Sequence, residues 1–180
     1  SEYATAIIWK YMYSPEMGFL NAIMFLAGII DKYQDILTSE RVVPLISLAY
    51  AWHIAPLLTF FLLAGLQTIP ELYYHAAKID GAGPIRRFVH VTLPHLRYAI
   101  LIALALTTFE AARATDLILI LTSGGPGISS MTLTYRIYTA TFSDMNFGYG
   151  SALSWILMPI ILVITIVYFR LLSERRARPK

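Results

Sequence analysis

Glu110, Arg113 and Asp116 recur at intervals of three, and His90 and His95 share one segment with Arg87. These are the side chains whose types and spacing come nearest to chemistry. Residues three apart on a helix are neighbours. Glu110 and Arg113 therefore suit a structural ion pair, or the charged centre of a membrane enzyme. The two histidines have no carboxylate beside them at metal-ligand spacing. With His53 and His75 they read as core or interface residues. No nucleophile–base arrangement emerges, so no catalytic residue and no metal site is assigned. The chain has no cysteine, which excludes a disulfide framework and a thiolate metal site. Gly124-Gly125-Pro126 lacks the lysine and the helix of a phosphate-binding loop and reads as a turn. Nothing here equips the chain to hydrolyse a nucleotide.

The elements that carry these residues are strongly apolar. Of 180 residues 57% are hydrophobic and 14% charged, and the mean hydropathy is +0.61. An ordinary soluble domain has about 45–50% apolar and about 25% charged residues. Disorder, collagen and a typical soluble enzyme are excluded, and an all-α, polytopic membrane fold is expected. A net charge of +3 does not suggest nucleic acid. Residues 42–66 contain no formal charge, nor do residues 148–169. As helices both exceed the roughly 30 Å of bilayer hydrocarbon. A third stretch, 98–121, is uncharged to Phe109 and then carries Glu110, Arg113 and Asp116. Ions in hydrocarbon must be paired or face protein or water, so one side of this span is expected to face a subunit or a pathway. The apolar stretch 17–30 is too short for a normal span. It follows Trp9-Lys10-Tyr11-Met12-Tyr13, an aromatic and basic patch suited to a headgroup boundary. Pro56 and Pro159 fall inside spans, where neighbouring groups can absorb the freed carbonyl. No signal-peptide pattern opens the chain.

Charge orients the spans. Lys78, Arg86, Arg87 and Arg97 lie between the first two, and Arg170, Arg175, Arg176, Arg178 and Lys180 follow the last. Residues 122–147 hold a single basic residue, Arg136. The side rich in Lys and Arg is the cytoplasmic one. The expected arrangement is therefore an external or interfacial segment 1–41, a span 42–66, a cytoplasmic loop 67–97, a span 98–121, an external loop 122–147, a span 148–169 and a cytoplasmic tail 170–180.

Residues 69–94 are the most informative. Pro70 suits a helix start and Gly81 a helix end or a close approach. The pattern predicts a short helix, a break from Gly81 to Pro84, and a second short helix stopped before Pro94. Leu72, Ala76 and Ile79 form one apolar stripe, and Ala76, Ala77 and Ala82 let a partner come near the backbone. The loop either docks a partner or packs only against its own helix ends.

Ala76-Ala77, Asp80-Gly81-Ala82 and Leu93-Pro94 resemble the cytoplasmic EAA signature of ABC importer permeases. The wider pattern is similar to the carbohydrate branch, to the first permease of maltose and glycerol-phosphate importers. It comprises Leu62 to Gln67, Ile69-Pro70, Tyr74, Thr92, Asp116, Leu121 to Pro126, Ile137-Tyr138, Gly148 to Ala152 and, earlier, Gly18 to Asn21. It covers nearly the whole chain in family order. The resemblance implies a permease subunit forming half of a translocation pathway. Its implied partners are a second, non-identical permease, two ABC ATPase subunits, an external sugar-binding protein and the lipid bilayer, with no nucleic acid. It implies no cofactor on this chain, with ATP and Mg on the ATPases. It places the protein in a bacterial or archaeal cytoplasmic membrane, and makes residues 1–180 the C-terminal part of a six-crossing subunit. The ATPase-coupling residues carried over are Glu71, Tyr74, His75, Ala76, Ala77, Asp80, Gly81, Ala82, Leu93 and Pro94. The family's glutamate before the two alanines is His75 here, with Glu71 one turn earlier as a substitute. The family's phenylalanine before Asp116 is Thr115. Candidate pathway residues for a sugar are Tyr50, Trp52, Asn146, Tyr149 and Trp155, because sugars pack on aromatic faces and hydrogen-bond to polar groups. Interfacial belts use the same aromatics. The competing reading is a non-transporting membrane anchor that docks a cytoplasmic partner.

Overall fold

A computed structural model describes residues 1–173. Glu174 and the basic residues Arg175, Arg176, Arg178 and Lys180 lie outside the described residues. The described chain is helical: α1 Glu2–Met12, α2 Phe19–Leu26, α3 Val42–Gln67, α4 Glu71–Ile79, α5 Pro84–Arg87, a π-helical turn Phe88–Thr92, α6 Leu93–Arg113, α7 Asp116–Leu121, α8 Leu133–Tyr138, a second π-helical turn Thr139–Ser143, and α9 Phe147–Ser173. Three helices are long and apolar enough to cross a bilayer: Val42–Gln67, Pro84–Arg113 and Phe147–Arg170. In the most apolar stretch of each, 11%, 17% and 0% of the residues are buried against the rest of the chain. Bare apolar helices of 24 to 30 residues must be covered by lipid or by another chain.

The structure departs from the sequence pattern at two ends of the middle span. No stop occurs before Pro94. α5, the π turn and α6 form one unbroken helix, Pro84–Arg113. Proline removes one backbone donor and crowds the preceding turn. The π turn widens the helix just before it, so that the Leu93 N–H reaches back five residues to the Phe88 carbonyl. At the other end, the helix stops at Arg113, and Asp116–Leu121 starts afresh. The Thr115 hydroxyl donates to the Arg113 carbonyl, at 3.2 Å, and the Glu2 carboxylate accepts from the Leu117 N–H, also at 3.2 Å. These bonds occupy groups that helix termini otherwise leave free.

The chain divides into two compact units. The first comprises Ser1–His53 and Ala111–Ile160. Its core is Ala6, Trp9, Tyr13, Ala49, Leu117 and Leu121, where α1 packs on α7. Trp9 and Tyr13 therefore belong to the core, and the boundary-type residues of that patch reduce to Lys10 and Tyr11, which are exposed. The Tyr13 hydroxyl donates to the Leu45 carbonyl, at 2.8 Å, and burial pushes its pKa up to about 12. The stretch 17–30 yields only the eight-residue α2. In α2, the fully buried Asn21 side chain donates to the carbonyls of Ser14 (3.1 Å) and Gln34 (2.9 Å) and accepts from the Gln34 N–H (3.3 Å). One side chain thus ties α2 to the loops on either side of it. A Cβ at Gly18 would come within 2.7 Å of the Met12 carbonyl oxygen, so no other residue fits there.

The second unit comprises Ile54–Glu110 and Ile161 onward. A hydrogen bond of 2.8 Å between the hydroxyls of Thr108 and Tyr168 ties α6 to α9, the kind of polar link that apolar helices use in a membrane. Gly65 lets α3 approach α6 closely: a Cβ there would lie 2.6 Å from the Ala99 Cβ.

Candidate functional site

The segment from Pro70 to Pro94, in the second unit, forms a helical elbow. Pro70 precedes α4 in an extended conformation, φ −61° and ψ 135°. Glu71 lies in its first turn and Lys78 in its last, charges that complement the helix dipole. The helix ends in a left-handed turn. The Gly81 N–H bonds the Lys78 carbonyl (3.0 Å) and the Ala82 N–H bonds the Ala77 carbonyl (2.9 Å). This is the paired closure that requires a positive φ at the intervening residue, and Gly81 has φ +73°. After Gly83, Pro84 opens the 30-residue helix. At about 1.5 Å per residue, the helix runs roughly 20 Å from Pro84 to the uncharged stretch beginning at Tyr98. Arg86, Arg87, His90, His95 and Arg97 decorate this part.

The faces of α4 differ. Tyr73 and Tyr74 turn toward the long helix, and Ala77 is half-buried. The Tyr74 and Thr92 hydroxyls share a hydrogen bond of 3.0 Å, and the Tyr73 ring lies 4.8 Å from the His95 ring. Leu72, Ala76 and Ile79 lie on another face, with Leu72 74% and Ile79 87% exposed. A third face carries Glu71 and His75, one turn apart and both exposed. Asp80, Gly81, Leu93 and Pro94 are exposed and Ala82 is half-buried. An amphipathic helix normally hides its apolar stripe. Here the long helix takes the tyrosine face and leaves the aliphatic stripe open. The pairs Tyr74–Thr92 and Tyr73–His95 join residues 18 and 22 apart, and spacing alone does not reveal them.

The aromatic candidates lie in the first unit, in two local groups. Tyr50 and Trp52 stand on α3. Tyr50 lines a cavity of about 350 Å3 with Val43, Ile46, Ala114, Ile118 and Ser130, and its ring lies 6.5 Å from His53. The His53 Nδ1 is 3.0 Å from the Thr5 hydroxyl. Trp52 is exposed and meets Trp9 edge-on, with ring centroids 6.2 Å apart. Asn146 and Tyr149 stand at the start of α9. The Asn146 side-chain Oδ1 accepts from the Tyr149 N–H, at 3.1 Å. The Arg136 guanidinium covers the Tyr149 ring at 5.5 Å and pairs with Asp144 at 3.3 Å. Trp155 is 74% exposed. The segment after α7 is a compact turn. Gly124 takes φ +83°, and the Ser130 hydroxyl donates to the Gly125 carbonyl at 2.7 Å. Glu110 and Arg113 are exposed, one turn apart at the end of α6. Among the described residues no group of His, Asp and Glu is placed to hold a metal ion.

Residues 4–178 match the profile of a family described as the binding-protein-dependent transport system inner membrane component. A sulfoquinovosyl glycerol transport system permease protein, SmoG, of Agrobacterium fabrum is 41% identical over 130 residues, 72% of this chain and 42% of that protein. A trehalose/maltose transport system permease protein, MalF, of Thermococcus litoralis is 36% identical over 172 residues, 96% of this chain and 58% of that protein. An sn-glycerol-3-phosphate transport system permease protein, UgpA, of Agrobacterium fabrum is 34% identical over 170 residues, 94% of this chain and 57% of that protein. The chain thus spans about half the length of these relatives.

Proposed function

This chain belongs to the family of binding-protein-dependent transport system inner membrane components, and on that footing we propose that it is a permease subunit of an ATP-driven sugar importer. The observation that carries this reading is the elbow. Its aliphatic stripe lies open, and a helix continuous with a span leads away from it. A separate ABC ATPase subunit grips Leu72, Ala76 and Ile79, with Glu71 and His75 beside them. ATP and Mg act on that subunit, and this chain contributes no catalytic group. When the ATPases close, the elbow moves with them and the span follows, because a helix transmits displacement that a flexible loop would absorb. The pathway then opens to the outside, and release after hydrolysis restores the inward state. Lys78, Arg86, Arg87 and Arg97 support a cytoplasmic position for the elbow, in a bacterial or archaeal cytoplasmic membrane.

The relatives' length supports a longer subunit, and our reading makes this chain the C-terminal part of a six-crossing one. A second, non-identical permease completes the pathway, and an external binding protein delivers the sugar. The relatives are named for trehalose/maltose, sulfoquinovosyl glycerol and sn-glycerol-3-phosphate transport systems, which supports a sugar or a polyol derivative as cargo. Tyr50, Trp52, Asn146, Tyr149 and Trp155 are the pathway candidates. Glu110 and Arg113 act as a structural pair. Gly81→Asp tests the coupling. No atom lies within 4 Å of a Cβ built at Gly81, but φ +73° strains any side chain there, so aspartate alters the turn and adds charge to the docking side. The variant is expected to insert normally and to lose sugar-stimulated ATP hydrolysis in the assembled importer. Normal stimulation contradicts the reading.

A further inference from the structure

We propose that the hydrogen bond between Tyr74 and Thr92 is the joint through which α4 drives the span, an inference that rests on reading the elbow as an ATPase-docking element. A force applied to α4 has two routes into α6. One passes along the chain, through the Gly81 turn, α5 and the π turn Phe88–Thr92. That route is soft at both ends: at Gly81 only the two closing backbone bonds hold a turn with no atom packed within 4 Å of its Cβ position, and the π turn bonds one residue further than a regular helix. The other route is direct. Tyr74 reaches from the middle of α4 to Thr92, the last residue of the π turn, and so bypasses both soft places. Thr92 is 7% exposed, which shields the bond from competing water and keeps its hydroxyl from any partner. The Tyr73–His95 ring contact, at 4.8 Å, meets α6 three residues further on and resists rotation about the bond. α4 thus works from two sides: Leu72, Ala76 and Ile79 for the partner, and Tyr74 for the span. Tyr74 and Thr92 are positioning residues and touch no cargo.

The test uses the whole importer in native membranes, in single-cysteine backgrounds that the cysteine-free chain allows. A cysteine at Ala76 with a thiol-directed crosslinker reads docking through capture of the ATPase. A cysteine at Ala111, an exposed residue in the last turn of α6, reads arrival of the motion as the ratio of maleimide labelling rates with and without Mg-ATP. Tyr74→Phe and Thr92→Val each remove one hydroxyl and keep the shape. Each is expected to shrink the ATP-dependent ratio about fivefold, the factor that a net hydrogen bond of about 1 kcal/mol carries. The double variant should match the singles, Thr92→Ser should restore the ratio, and capture at Ala76 should not change. A wild-type ratio in both single variants overturns the proposal. So does loss of capture in them, which makes Tyr74 part of the grip. Absence of capture in the unsubstituted background instead overturns the docking reading itself.

Discussion

Gly65→Ala adds one methyl group where α3 meets α6. The new Cβ would stand 2.6 Å from the Ala99 Cβ and 3.0 Å from Leu96 Cδ2. Carbon atoms in contact prefer about 3.5–4.0 Å. The leucine tip can turn aside, but the Ala99 Cβ is fixed to backbone, so the helices must part by about 1 Å. Overpacking of this kind costs about 1–3 kcal/mol, and we take about 2. Replacing glycine in a helix returns about 1 kcal/mol, which leaves the variant less stable by about 1 kcal/mol. Ala99→Gly alone should lose about 1 kcal/mol for the converse reason. In the double variant the two propensity effects cancel and the clash is gone, so stability should return to the starting value. The interaction energy of the cycle is then about −2 kcal/mol, within the range for residues in contact. Reversible unfolding of the purified permease in mixed detergent micelles, followed by circular dichroism, measures all four forms. Additive effects, with an interaction energy near zero, would refute the close crossing.

Two further outcomes follow from the first unit. Asn21→Leu removes the three hydrogen bonds that a fully buried side chain makes to the backbone of Ser14 and Gln34, at about 1 kcal/mol each. The variant should lose at least 2 kcal/mol in the same unfolding assay, and the segment 14–34 should become sensitive to limited proteolysis. The raised pKa of Tyr13 means that the fold favours the neutral phenol over the phenolate. That stabilisation is complete below about pH 10 and is lost as the pH rises through about 12. Tyr13→Phe should flatten this loss in an alkaline stability titration, and should lower stability at neutral pH by about 1 kcal/mol through the missing bond to Leu45.

The long apolar helices were legible in the sequence because hydropathy needs only local counting. The elbow was partly legible: Pro70, Gly81 and the stripe of Leu72, Ala76 and Ile79 mark α4 by position alone. Pro94 misled, since proline ordinarily ends a helix, and nothing local announces a π turn that carries the helix past it. The new start at Asp116 is capped through the Leu117 N–H by Glu2, more than a hundred residues away. Trp9 and Tyr13 have the composition of a membrane boundary. Their burial follows from the packing of α1 on α7, which no run of neighbouring residues encodes. The pairing of Tyr74 with Thr92 is likewise tertiary, although the family pattern contains both residues.

The central claim is that the elbow docks an ABC ATPase. It is tested most directly by a cysteine at Ala76, on the open stripe of α4, in native membranes with a short thiol-directed crosslinker. Mass spectrometry identifies what is attached, and a cysteine at Thr132 serves as the control. The account predicts capture of an ABC ATPase from Ala76 and none from Thr132. Labelling of Ala76 without capture of any ATPase would contradict it and leave a membrane anchor in place of a coupled permease.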